Sequence, residues 1–218
     1  MNPINKFPNV FSDYKGRMYT KTEKDVSFFE EKIFRKGKDS FREWDPNRSK
    51  LGAAIAKRIS QIGFKEDSKV LYLGASHGYT PSFVSDMVSK GCIYALEIAP
   101  VVARDLVYLC ESRKNMIPLI ANANHPETYN HIGKVDLVFQ DISQKNQVEI
   151  FLKNCDEFLE SGGFGLLAIK ARSIDVTRKP KDLFKQVRAE LERHIGVVDY
   201  RELDPFERAH AFFVCKKK

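Results

Sequence analysis

Five short apolar runs, rich in β-branched and aromatic residues, recur at 69–74, 92–97, 117–121, 135–140 and 164–169. Between and after them lie stretches with helical spacing, at about 80–89, 100–113, 146–160 and 181–194. A strand buried on both faces reads as a continuous apolar run, so this alternation predicts a parallel sheet covered by helices on both sides. Two further runs, VVDYREL (197–203) and HAFFVCK (210–216), are joined by too few residues for a crossover helix. They are expected to form an antiparallel pair ending the sheet. Ahead of the first strand, SKLGAAIAKRISQI (49–62) puts Leu51, Ala54, Ile55, Ile59 and Ile62 on one helical face.

Residues 1–44 read differently. They hold nine of the chain's 25 aromatics, and Lys15-Gly16 and Lys36-Gly37-Lys38 mark turns. A small antiparallel sheet of hairpins is expected there. It is too small to bury its own surface, so it should pack on the larger domain spanning 45–218.

The 218 residues suffice for one α/β domain and this appendage, and 43% hydrophobic content suits a folded core. The net charge of +7 is a moderate basic excess, compatible with a phosphate-rich partner. Cys92, Cys110, Cys155 and Cys215 are too widely spaced for a zinc knuckle or a redox pair. Free buried thiols and a cytoplasmic location are the economical expectation. MNPINKFPNV has no apolar signal-peptide core, and no run reaches the ~20 apolar residues of a membrane span.

Ligands of open parallel sheets bind beyond the carboxyl ends of the strands. Here those ends carry Gly74, Glu97, Asn122, Asp141 and Lys170 in succession. The Gly74–Gly78 loop lets a ligand approach backbone amides at a helix start, and Glu97 follows at the spacing of an acid that binds a ribose diol. NAD, FAD and S-adenosylmethionine all fit that pair. The loop resembles the glycine motif of short-chain dehydrogenases, but Thr80 replaces the last glycine and no tyrosine has a lysine four positions later. The closing antiparallel hairpin resembles instead the class I S-adenosylmethionine-dependent methyltransferase fold. Lys170, delivered by a buried strand, is a candidate base, and Asp141 on the adjacent strand could hold its ammonium. Taken alone, Lys170 reads as a snorkelling strand-end lysine.

Seven segments in order, RSKLGAAI (48–55), VLYLGASHGYTPSFVSD (70–86), YALE (94–97), ANANHP (121–126), FQDISQKNQ (139–147), IKARSID (169–175) and DPFERAH (204–210), resemble the fibrillarin family in its archaeal form. The resemblance implies a Rossmann-like α/β fold with a mostly parallel seven-stranded sheet, an antiparallel last strand and a small N-terminal β-domain. It implies a guide-RNA-directed ribose 2′-O-methyltransferase with S-adenosylmethionine as cofactor. The implied partners are a C/D-box guide RNA and its substrate RNA, a Nop-family scaffold protein and a kink-turn-binding protein of ribosomal type. The family's catalytic set falls on Lys50, Asp141, Lys170 and His210. Its cofactor contacts fall on Gly74, Ala75, Tyr79, Thr80, Glu97, Ile98, Asn122, Ala123, Asp141, Ile142, Ser143 and Gln144. No metal is implied.

The chain departs from the family at His77, where small residues are usual, at Tyr79, usually threonine, and at Asn122, usually an aspartate that meets the adenine amino group. An amide there loses the charge-assisted bond. Tyr79 is expected to act as a lid or stacking neighbour of the cofactor. Two alternatives remain open: a structural subunit with weakened cofactor binding, and a stand-alone methyltransferase of a small molecule. The basic set Lys50, Lys57, Arg58, Lys170, Arg172, Arg178, Lys179 and Lys181 favours an RNA backbone over the latter.

Overall fold

In the computed structural model, which describes residues 1–23 and 26–218, two sheets share one continuous core. The first is antiparallel: β1 (Asn2–Pro3), β2 (Val10–Ser12), β3 (Met18–Thr22), β4 (Ile33–Lys36) and β5 (Asp39–Trp44), in the order β1-β2-β3-β5-β4. Phe7, Val10, Met18 and Trp44 join the buried cluster of the larger sheet, as expected for a small sheet that needs a neighbour.

The second sheet has seven strands: β6 (Lys69–Leu73), β7 (Cys92–Glu97), β8 (Met116–Ile120), β9 (Val135–Gln140), β10 (Leu159–Lys170), β11 (Gly196–Glu202) and β12 (His210–Lys216). The order is β11-β12-β10-β9-β6-β7-β8. Strands β6 to β10 run parallel, and β12 is antiparallel to both of its neighbours. The last strand therefore enters between β10 and β11 rather than lying at the rim. That insertion puts His210 directly opposite Lys170.

Helices α1 (Lys50–Ala56), α2 (Tyr79–Met87) and α3 (Pro100–Ser112) pack on one face. Helices α4 (Gln147–Phe158) and α6 (Pro180–Leu191) cover the other, and α5 (Ala171–Ile174) is a single turn after β10. The predicted 49–62 helix is shorter than its apolar spacing implies. It stops at Lys57, and Arg58 takes a left-handed φ of 58°, yet Ile59 and Ile62 remain buried. Burial alone supported the longer helix, and an irregular chain buries them equally well. The four cysteines are free, three of them buried. Among the described residues no helix is long and apolar enough to cross a membrane.

The two sheets are joined by a buried charge cluster. Arg42 on β5, 0% exposed, pairs with Glu31 at 2.8 Å and with Asp86 of α2 at 2.9 Å. Arg113, at the end of α3, shares Asp86 at 2.8 Å. The Trp44 indole lies flat on Phe83, with centroids 4.9 Å apart.

Candidate active site

The polar strand ends meet at the carboxyl edge of the sheet, beside the start of α1. Ser49 caps that helix by accepting from the Gly52 amide at 3.1 Å. The cap aims Lys50 at the end of β9, where its Nζ lies 3.0 Å from Asp141 Oδ1 and 3.2 Å from Oδ2. Burial alone would lower the Lys50 pKa. The charge and hydrogen bond of Asp141 outweigh it and hold the ammonium above its ordinary range. This corrects one expectation: Asp141 holds Lys50, because α1 starts over the end of β9. Among the described residues the Lys170 ammonium makes no hydrogen bond or ion pair; only its backbone is bonded.

Opposite Lys170, the His210 side chain is 12% exposed. Its Nδ1 bonds the Arg208 carbonyl at 2.8 Å, and a carbonyl can only accept. Nδ1 therefore carries the proton, and Nε2 is left as an acceptor. Burial, with the Lys50 charge, pushes the imidazole pKa below its ordinary value, against the opposing pull of the Arg208 carbonyl, Glu207 and Asp141. The site thus gathers a locked ammonium–carboxylate pair, a second lysine and a neutral imidazole.

The loop after β6 is shaped for a ligand. Gly74 has φ +82°, and a Cβ there would lie 2.6 Å from the Asp141 carbonyl oxygen. No other residue fits between the ends of β6 and β9. Glu97 is fixed by three backbone amides: Ser76 at 2.8 Å, Ile98 at 2.9 Å and Ala99 at 3.0 Å. Its Oε2 takes only one of them and keeps acceptor capacity for a hydroxyl. Ile98 stands beside it 49% exposed, an apolar surface at the site's rim. An anchored carboxylate, an apolar rim and a close-approach loop fit the ribose and base of a nucleoside cofactor.

Other residues proposed from sequence have different surroundings. Thr80 is buried and donates to the Ser49 hydroxyl at 3.1 Å, tying the cofactor loop to the cap of α1. The Tyr79 ring packs edge-on against Phe29 and Phe83, at 5.3 and 5.1 Å, with the Arg48 guanidinium 4.4 Å from its centroid. Its neighbours are those of a strut between the loop and the N-terminal segment, not of a lid. His77 is exposed; Nδ1 meets Ser76 Oγ at 3.2 Å and Nε2 lies 3.7 Å from Asp105 of α3. It faces α3 and solvent.

Asn122 Oδ1 accepts from the Asn124 amide at 3.0 Å and from Asn124 Nδ2 at 3.1 Å. Gln144 Oε1 also accepts from Asn124, at 3.2 Å. Ala123 is buried with its carbonyl bonded to Asn154 at 2.9 Å, Ala75 is buried, Ile142 is half-buried, and Ser143 is exposed. Sequence reasoning missed Ser49, Arg48 and the buried Gln140–Gln147 pair. A serine before a helix is a recognisable cap signal; a glutamine at a helix start reads as solvated.

Together the sheet order, the inserted antiparallel β12 and the loop–Glu97 pair define a class I S-adenosylmethionine-dependent methyltransferase. The Fibrillarin family model matches residues 1–218, and the chain belongs to that family. It is 45% identical over 215 residues to the fibrillarin-like rRNA/tRNA 2′-O-methyltransferase of Methanocaldococcus jannaschii, covering 95% of this chain and 94% of the relative. Two solved structures superpose closely. A fibrillarin/Nop5p complex gives a TM-score of 0.90 at 39% identity, covering 96% of this chain and 98% of the other. Aeropyrum pernix fibrillarin with natively bound S-adenosyl-L-methionine gives 0.88 at 36%, covering 98% and 96%.

Proposed function

We propose that the protein transfers a methyl group from S-adenosylmethionine to the ribose 2′-hydroxyl of rRNA or tRNA, as the catalytic subunit of a C/D-box guide particle. The observation that carries this is the convergence of Lys50–Asp141 with the Lys170/His210 rung beside the Gly74 loop. S-adenosylmethionine, when bound, supplies a methyl group on a positively charged sulfur. Gly74, Ala75, Glu97, Ile98 and the Asn122–Ala123 and Ile142–Gln144 turns would hold it.

A ribose hydroxyl is a weak nucleophile at neutral pH and must lose its proton as its oxygen attacks. Of the two lysines, Lys50 is committed as an ammonium to Asp141, so Lys170, whose Nζ has no such partner among the described residues, is assigned to take that proton as its free amine. Lys50 and the His210 Nε2 orient the ribose and its phosphate. Holding the reactants in line supplies most of the rate.

A Nop-family scaffold is the proposed protein partner, supported by the relative solved with Nop5p. Guide RNA and a kink-turn-binding protein complete the proposed particle. Arg172, Arg178, Lys179 and Lys181, all exposed after β10, would meet the RNA backbone. The test is methyl incorporation from labelled S-adenosylmethionine at the guided ribose by the assembled particle. Loss of transfer in Lys170→Ala with assembly intact supports the reading; no transfer by the wild-type particle sinks it.

One observation favours a second reading, a subunit with weakened cofactor binding: Asn122 Oδ1 is already committed to Asn124. Calorimetry separates the two. Micromolar binding of S-adenosylmethionine by the free protein ends the second reading.

A further inference from the structure

Strand β9 ends before β10 does. Their last paired rung sets Gln140 opposite Leu167, and the Asp141 amide then turns to the Leu73 carbonyl on the other side. Strand β10 runs on for Ala168, Ile169 and Lys170 with β12 on one side only. The backbone of Lys170 would face the gap left by β9 without a partner, and buried unpaired amides are costly.

The side chain of Gln147, 0% exposed at the first turn of α4, occupies that gap. Its Oε1 accepts the Lys170 N–H at 3.2 Å. Its Nε2 donates to the Lys170 carbonyl at 3.3 Å and to the Gln144 carbonyl at 2.9 Å. The Gln147 backbone carbonyl in turn accepts from Gln140 Nε2. One primary amide thus presents the donor and acceptor of a strand rung to Lys170 and ties it to the turn carrying Gln144.

We infer that Gln147 is a positioning residue for the transfer: its amide stands in for the missing strand and fixes the backbone from which Lys170 reaches the ribose. The inference rests on the reading of Lys170 given above. The primary amide suits the place because neither a carboxylate nor a hydrocarbon offers a donor and an acceptor at once.

The test uses the assembled particle with saturating cofactor and RNA, and the free protein for amide hydrogen exchange. Gln147→Leu is expected to lower turnover by about 10²-fold, the usual cost of a small misplacement of a reacting group. It is also expected to speed exchange of the Lys170 amide by about 10-fold or more relative to neighbouring β10 amides. Ile150→Ala, a core truncation on the same helix, is the control: lower stability, unchanged turnover. Gln147→Glu keeps the acceptor for the Lys170 N–H but sets a carboxylate against two carbonyls. It should lose turnover, and it carries the test if the leucine variant does not fold.

Wild-type turnover in either variant, or Lys170 exchange unchanged in Gln147→Leu, overturns the role of Gln147. Lys170→Ala in the same assay separates the two levels. If it is inactive while Gln147→Leu is wild-type, the positioning role alone falls; if it still transfers methyl, the catalytic reading of Lys170 falls and takes this role with it.

Discussion

Lys50 Nζ spans both oxygens of the Asp141 carboxylate, at 3.0 and 3.2 Å, and so pins the start of α1 to the end of β9. The side chains are only 20% and 16% exposed. Asp141→Asn therefore leaves a largely buried ammonium without its paired counter-charge. We expect a loss of about 1–3 kcal/mol in unfolding free energy, read by urea denaturation. Single-turnover methyl transfer should fall by about 10²-fold or more, because the lysine no longer holds its place where charge develops. A variant with wild-type turnover would show that the pair is structural only.

Arg42 makes a sharper prediction about stability. Its side chain is 0% exposed and answers two carboxylates, Glu31 and Asp86, that are 2% and 4% exposed. Arg42→Met leaves both in the interior, and removing one partner of a buried ion pair costs about 3–5 kcal/mol. The Lys21–Asp39 pair on the same sheet, 44% and 47% exposed, is the contrast: Lys21→Ala should leave the denaturation midpoint within error of wild type. Equal effects at the two positions would contradict the burial argument.

The larger sheet was legible because strands buried on both faces leave a one-dimensional trace, an apolar run that ends in a polar residue. Lys170 and Asp141 could be found that way, since each closes such a run. The helix at 49–62 was overextended for the converse reason: Ile59 and Ile62 keep helical spacing, yet only the backbone decides the turn at Arg58. Lys50 and His210 entered only through family resemblance, because one lies at a helix start and the other on a strand whose insertion beside β10 no local pattern encodes. The partner of Asp141 was misjudged along with them: pairing across 91 residues depends on where the Ser49 cap sets α1. Gln147 gave no signal, since its burial follows from β9 ending before β10.

The contact of Arg48 with Tyr79 ties the N-terminal segment to the cofactor loop, with Arg48 Nη1 also donating to the Phe29 carbonyl at 2.9 Å. Cation–π pairs of this kind contribute about 0.5–1 kcal/mol at exposed sites. A double-mutant cycle of Arg48→Ala and Tyr79→Ala should return a coupling of about that size. Tyr79→Thr should lower stability by losing the Phe29 and Phe83 contacts. Its effect on S-adenosylmethionine affinity, read by calorimetry, should be the smaller of the two changes. A large affinity change without a stability change would restore the lid.

Arg172, Arg178, Lys179 and Lys181 lie exposed on the segment that follows Lys170. If they meet RNA phosphates, their replacement by glutamine should weaken substrate binding at low salt and flatten its salt dependence. Each lost single-strand contact removes about 0.7 from the slope of log K against log salt. Binding of substrate RNA to the assembled particle across a salt series measures this. An unchanged slope would assign these charges to solvent.

His210 gives a pH dependence with a definite sign. The groups facing it are Lys50, Asp141, Glu207 and the Arg208 carbonyl, and burial together with Lys50 sets its folded pKa below the ordinary 6.5. The unfolded chain then binds a proton that the folded chain resists, so stability rises with pH between the depressed pKa and about 6.5 and is lost as pH falls through that window. Comparison with His210→Gln cancels the carboxylates common to both proteins. The unfolding free energy of wild type minus that of the variant should fall as pH drops from about 7 to about 5. Above that window both imidazoles are neutral, and the difference should be flat. A difference independent of pH throughout would mean that His210 does not resist protonation, and the assignment of its Nε2 as a free acceptor would fail.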